Sequence, residues 1–447
     1  MDRLLELHAS LNAVVWGPPM MVLLIGAGVI LTISTGGVQF RRLGFAVRQA
    51  LFAKHVQGDG SVTSFQALSA SLAATVGVGN IAGVSTAISL GGPGALFWLF
   101  FSGVVGMATK FAEIAVALHY REPDERGVMR GGAMYILSKG FKMPWLGALF
   151  AMFTGLAAFG IGNMVQANSV ADAAKTGFGV PVEASGLILA ALTAAVVVGG
   201  LRRIVEVTQV LIPAMCAFYV LATLIVLARF ADQIPGAIAL VLEGAFEGQA
   251  AIGGFAGAGV SQALRYGIAR GLFSNEAGLG SAPIVHASAV TDHPVRQASY
   301  GIFGVLVDTI IVCQLTGLVV LTTGAWQSGL TGAALSASAF KIGLWGGWGD
   351  VAVSIALILF AFSTVVGWAY YGETAVTYLF GWRAAMPYRV VWIVFVYIGA
   401  IGGLETIWSV ADTLNGLMAV PNLIAILGSI ALLRQLLKEF FAKGEVR

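Results

Sequence analysis

The 447-residue chain is predicted to be an all-α polytopic membrane protein. It would have eleven transmembrane helices, two inverted repeats of five behind one extra N-terminal helix, with two helices broken at the midplane. Three observations predict this. Hydrophobic residues make up 58% of the chain and charged residues 11%, whereas about a quarter of a soluble domain is charged. Apolar runs long enough to cross about 30 Å of hydrocarbon recur along its whole length. Two of them, five runs apart, are interrupted by glycine and polar residues.

Runs of spanning length lie near 13–34, 66–90, 95–118, 144–175, 182–200, 204–228, 261–290, 297–322, 350–379 and 386–403. Residues 405–435 form either one long span kinked near Pro421 or two short ones. Charge placement chooses between eleven and twelve. With eleven spans and the N-terminus outside, eighteen Lys and Arg residues fall on inner segments, among them Arg41, Arg42, Arg48, Arg121, Arg126, Arg130, Arg202, Arg203, Arg383, Arg389 and Lys438. Only Arg3, Lys175, Arg229 and Lys341 fall outside. Basic residues gather on the cytoplasmic side, and a twelfth span would carry the tail's four to the other side. The C-terminus is therefore expected inside, in a cell-membrane protein. The first run is over 20 residues long and has no small-residue cleavage site, so it is expected to be a retained span rather than a signal peptide.

This divides the chain into an extra helix with an inner amphipathic segment (1–60), a first five-helix repeat (61–230), an outer loop (231–260), a second, inverted repeat (261–437) and a cytoplasmic tail (438–447). Within the first part, "FRRLGFAVRQALFAK" (40–54) sets basic against apolar positions at helical spacing and belongs on the inner surface. Residues 232–250, with Asp232, Glu243 and Glu247, read as an acidic outer helix.

The interruptions are "TVGVGNIAG" in the second span and "LFSNEAGLGSAP" in the seventh. An odd offset of five gives them opposite directions across the bilayer. Paired, interrupted hydrophobic segments in matching positions of two halves mark the binding site of a secondary transporter. Where a helix unwinds in hydrocarbon, its N–H and C=O groups must be satisfied by something other than lipid. A half-helix N-terminus presents N–H groups to a carboxylate, and freed carbonyls suit an ammonium or a sodium ion. The competing readings are weaker. Gly77, Gly79 and Gly83 follow G-x-G-x-x-x-G inside an apolar span, with no strand before them, which is not the dinucleotide fingerprint. Small-residue helix packing accounts for the glycines but not for Asn80 or the Ser274-Asn275-Glu276 cluster. An ion channel, with these breaks as its filter, lacks the repeated short segments such a filter needs.

The segments "ATVGVGNIAGV", "GLFSNEAGLGSAPIVHA" and "FSTVVGWAYYGE", in this order, resemble the signatures of the alanine or glycine:cation symporter family. The resemblance runs from about residue 10 to 435, and "GVGN" is similar to the break in the first core helix of the leucine-transporter fold. It implies a sodium-coupled symporter of small neutral amino acids, alanine or glycine, working by alternating access, with protons as the alternative coupling ion. The substrate carboxylate would meet N–H groups around Thr75, Gly77, Val78 and Gly79. Its amino group would meet carbonyls around Phe273 and Ser274, with Gln166 as a side-chain contact, and Phe273 and Trp368 would close over the side chain. Gln166 could equally bond another helix, and Trp368 could serve packing or interface anchoring. Sodium would be held by carbonyls of Ala73, Val76 and Ala361 and hydroxyls of Ser363 and Thr364, although such hydroxyls often bond back to their own helix. Asn80 would be either a second ion ligand or the cap of the outer half-helix. Glu276 would be a cation ligand, a proton site or a clamp on unwound N–H groups.

The remaining membrane-depth charges carry less. Lys110 and Glu113, three apart on one helix, are expected to neutralise each other. Asp308, Glu373 and Asp412 are expected in buried pairs or gating contacts. The two cysteines, Cys216 and Cys313, lie in apolar runs as small hydrophobes. The five histidines lack metal-ligand spacing, and neither a nucleophile with its base nor a nucleic-acid surface is visible. No enzyme, no cofactor and no nucleic-acid partner is therefore expected; the partners are substrate, sodium and bilayer.

Overall fold

The structure is a computed structural model that describes residues 10, 12–52, 57–247, 259–345, 347–402 and 405–442, the last stretch with side chains from 409. Parts of three sequence-drawn regions, at 1–9, 248–258 and 443–447, lie outside the described residues.

The chain runs α1 (Pro18–Ser34), α2 (Leu43–Phe52), α3 (Ser64–Thr75), α4 (Val84–Gly91), α5 (Ala95–His119), a hairpin β1–β2 (Glu122–Pro123, Met129–Arg130), and then α6 (Pro144–Phe178), α7 (Val182–Val197), α8 (Gly200–Arg229) and α9 (Ile234–Phe246). There follow α10 (Val260–Asn275), α11 (Ala282–His286), α12 (Pro294–Thr322), α13 (Gly332–Gly343), α14 (Trp348–Phe380), α15 (Ala385–Ile401), α16 (Glu405–Gly428) and α17 (Ile430–Ala442). Among the described residues, eight helices are long and apolar enough to cross a membrane, nine if the bent pair Ser64–Thr75 and Gly79–Gly91 counts as one span. This is a multi-pass membrane protein.

Local chemistry fixes the ends. Thr63 caps α3 by accepting from the Gln66 N–H at 3.2 Å while the Gln66 side chain accepts from the Thr63 N–H at 3.0 Å. Proline opens α1, α6 and α12, where its missing N–H costs nothing. In the tail, Pro421 lies inside an unbroken α16, and the chain breaks eight residues later at Ser429. Neighbouring groups in a membrane bundle satisfy the carbonyl that an internal proline frees, so the sequence's kink point is displaced. The separate α17 has two faces: Leu433, Leu436 and Phe440 are buried, while Arg434 reaches back to the Ser34 carbonyl at 3.1 Å.

Both interruptions are real departures from helix. The first bends the chain by 53° between Thr75 and Gly79. At the second, α10 stops at Asn275, Glu276 takes a left-handed φ of 55°, and Gly278 and Gly280 follow at 96° and 80° before α11 begins. A left-handed backbone strains a residue with a side chain, so glycine at 278 and 280 is what lets the chain turn there.

Several of the segments assigned by charge to the inner side touch one another. The strand leading into α3 pairs with the strand leaving α11, through bridges of Asp59 with Thr291 and Val62 with Ala289. Arg121 ties both, donating to the carbonyls of Ala287, Ala289 and Asp59 at 3.0, 2.6 and 2.7 Å. Glu373, buried on α14, receives Arg389 Nε and Nη2 at 2.8 and 3.0 Å, with Arg130 of β2 at 3.7 Å. Arg389 also donates to the Val198 carbonyl. One carboxylate thus links α14, α15, the hairpin and the end of α7.

Candidate functional site

The two breaks face each other across a small, partly enclosed cavity. Its walls are Ala74, Thr75, Gly77 and Gly79 from the first break, Phe273 and Glu276 from the second, Ile161 and Gln166 from α6, Thr364 and Trp368 from α14, and Asn415 from α16. Helices α6 and α12 and the first break each widen locally into a π-type turn at this level, over Ala158–Met164, Leu306–Cys313 and Gly79–Gly83. Such turns free backbone and re-aim side chains, and they favour functional sites. Close approach is possible because the facing residues are small. A Cβ on Gly162 would lie 2.2 Å from Trp368 Cβ, and one on Gly367 would lie 2.7 Å from the Ala74 nitrogen.

The first break is closed from within. Asn80 Oδ1 accepts from the Gly77 N–H at 2.8 Å, and its Nδ2 lies 2.7 Å from Asp308 Oδ1 and 3.1 Å from Ser274 Oγ. Asn80 therefore caps the turn and ties it to α10 and α12. The N–H groups of Val78 and Gly79 find no acceptor among the described residues. The Thr75 hydroxyl bonds back to the Ser71 carbonyl at 3.2 Å. The Ser274 hydroxyl donates to Asp308 Oδ2 at 2.9 Å and does not line the cavity, while its neighbour Phe273 does.

The second break is held by two charges of α5. Lys110 Nζ donates to the Asn275 carbonyl at 2.5 Å, at the C-terminal end of α10. One turn on, Glu113 Oε1 accepts from the N–H groups of Gly278 and Gly280 at 2.9 and 3.1 Å and from Asn422 Nδ2 at 2.6 Å. Besides the charge interaction expected from their spacing, the two act as a splint. A cation sits on freed carbonyl and an anion on freed N–H, as the polarity of helix ends favours. Glu276 is a clamp of another kind: its Oε1 accepts from Trp368 Nε1 at 3.0 Å and its Oε2 from the Ser281 hydroxyl. Its partners are side chains; the N–H groups of Gly278 and Gly280 go to Glu113 and that of Ala277 to Asn275 Oδ1.

Gln166 donates Nε2 to the Ile161 carbonyl at 3.1 Å, which fixes its amide, and leaves Oε1 buried with no partner facing the cavity. The residues expected around sodium converge where α3 ends against α14. Ser363 Oγ lies 3.4 Å from the Val76 carbonyl, and a Cβ on Gly77 would lie 2.6 Å from Thr364 Oγ1. Both hydroxyls also bond back to the Phe360 carbonyl, at 2.8 and 3.0 Å, and Ala73 and Ala361 are fully buried beside them.

A multi-pass helical bundle with two unwound helices facing one buried polar cavity defines a secondary transporter. The chain matches the model of the sodium:alanine symporter family over residues 1–446 and belongs to that family. It is 46% identical over 428 residues to the sodium/alanine symporter AgcS of Methanococcus maripaludis, covering 94% of this chain and 93% of that one. It is 36% identical over 429 residues to the "Probable sodium/glutamine symporter GlnT" of Bacillus subtilis, covering 95% and 88%. Among solved structures it resembles MhsT in complex with L-phenylalanine, with a TM-score of 0.56 at 13% identity over 85% of this chain and 98% of that one. That likeness concerns the fold alone. The protein is an amino-acid symporter by family.

Proposed function

We propose that the chain couples sodium to the uptake of small neutral amino acids, alanine and glycine, by alternating access around the two breaks. The observation that carries this is the cavity. The N–H of Gly79, which has no acceptor among the described residues, and the unpaired Oε1 of Gln166 belong to residues lining one small cavity, with Phe273 and Trp368 among its other walls. The carboxylate goes to the N-terminal end of the outer half-helix, where N–H groups and the helix dipole favour an anion. The ammonium goes to Gln166 Oε1 and to carbonyls near Phe273. A methyl or hydrogen fits beneath the Trp368 indole, and a glutamine-sized side chain does not.

Sodium is read between Val76, Ala73, Ala361, Ser363 and Thr364, a set of neutral oxygens suited to a hard cation. The same turn supplies Val76 to the ion and Gly77 to Gly79 to the substrate, so each ligand orders the segment the other needs and each raises the other's affinity by one factor. With basic residues inside, the N-terminus lies outside and the C-terminus in the cytoplasm. The full chain in liposomes should accumulate labelled alanine under an inward sodium gradient. Uptake unchanged with choline in place of sodium and driven instead by a pH gradient would make the protein a proton-coupled carrier.

A further inference from the structure

Asn415 on α16 is 2% exposed, lines the cavity, and its Oδ1 is buried with no partner. A buried polar atom without a partner costs about 1–3 kcal/mol, so native interiors rarely keep one without a use for it. The helix is anchored on either side of this position. Before it, Trp16 Nε1 donates to the Asp412 carbonyl at 3.0 Å and Asn12 Nδ2 to Thr413 Oγ1 at 2.7 Å. After it, Asn422 Nδ2 bonds Glu113 Oε1 and the Gly278 carbonyl at 2.6 and 2.9 Å. Asn415 is thus held at the cavity by a rigid element, with its own amide left free.

We propose that Asn415 is a substrate-binding residue whose Oδ1, with Gln166 Oε1, accepts hydrogen bonds from the substrate ammonium. The inference rests on the reading of this cavity as the amino-acid site. An ammonium carries three donors, and two unpaired acceptors from different helices line a cavity whose one carboxylate, Glu276, already accepts from Trp368 Nε1 and the Ser281 hydroxyl. Two unpaired acceptors distinguish an amino acid from its deamino analogue, which has no ammonium to donate to them.

The test uses the purified full chain, with alanine binding measured by calorimetry at saturating sodium for wild type, Asn415→Ala and Asn415→Asp, and thermal unfolding of each without alanine. Asn415→Ala should bind alanine about tenfold or more weakly, the loss of one hydrogen bond to a charged group, yet unfold at or above the wild-type temperature, because it removes an unpaired buried amide. Asn415→Asp keeps the acceptor and should bind alanine more tightly than Asn415→Ala. Equal alanine affinity in wild type and Asn415→Ala overturns the proposal. So does an Asn415→Ala protein that fails to fold or melts well below wild type with alanine affinity kept, which makes the residue structural. Weaker binding by Asn415→Asp than by Asn415→Ala overturns the acceptor role. A wild type that binds no alanine fails the cavity reading itself, before any variant is compared.

Discussion

Trp368 Nε1 donates to Glu276 Oε1 at 3.0 Å, joining α14 to the second break across the cavity. The bond fixes the indole over the site, and the Ser281 hydroxyl holds the other carboxylate oxygen. Trp368→Phe would leave a buried carboxylate oxygen unpaired and free the ring to tilt. Its affinity for alanine should fall about tenfold, since hydrogen bonds to charged groups contribute about 1.5–3 kcal/mol. Trp368→Ala should admit bulkier neutral amino acids, read by competition against labelled alanine. Selectivity unchanged in both variants would remove Trp368 from the pocket.

Glu113 should behave as a splint for the second break. Glu113→Ala strips the acceptor from the N–H groups of Gly278 and Gly280, leaving them buried and unpaired, and leaves Asn422 Nδ2 only the Gly278 carbonyl. It should lower unfolding stability by about 3–5 kcal/mol, the cost of breaking a buried charged network, measured by thermal unfolding in detergent. Glu113→Gln keeps one acceptor oxygen and should lose clearly less.

Substitutions at Ser363 and Thr364 should tell the proposed ion site from the proposed substrate site. Ser363 is fully buried and outside the cavity, whereas Thr364 lines it. Ser363→Ala should raise the half-saturating sodium concentration about tenfold while leaving the order of preference among amino acids intact. Thr364→Ala should disturb both. If neither change alters sodium dependence in uptake, the ion lies elsewhere.

The hairpin after α5 offers a pH test outside the spans. Burial acts to raise the Asp124 carboxyl, but the N–H groups of Arg126 and Val128 and the Arg130 guanidinium outweigh it and hold it below the ordinary carboxylate range. A depressed carboxylate stabilises the fold above its unfolded pKa, about 3.9, and that contribution is lost as pH falls through its lower folded value. Amide exchange over 122–130 should therefore stay slow near neutrality and quicken, relative to the intrinsic rate, as pH drops below about 4. Asp124→Asn should remove the dependence.

Both breaks are legible in the sequence because hydrocarbon punishes polarity. Gly77, Gly79 and Asn80 in one apolar run, and Ser274 to Glu276 in another, stand out where little else is polar, and the chain breaks at both. What the sequence hides is direction. Lys110 and Glu113 are spaced to pair with each other, and only the position of the second break against α5 sends one to carbonyl and the other to N–H. Asn415 is one of two amides in a helix whose limits depend on how Pro421 is tolerated. Nothing local distinguishes it from Asn422, which the fold turns toward Glu113. The Glu373 pair with Arg389 joins residues on consecutive helices across a turn, and neither carries a spacing signal.

The central claim is that one turn, Val76 to Gly79, serves ion and substrate together. The measurement that tests it most directly is a reciprocal titration of the purified chain: alanine affinity with sodium and with choline, and sodium affinity with and without alanine. Sodium should tighten alanine, and alanine should tighten sodium by the same factor. Alanine affinity that is identical in choline would contradict the shared turn.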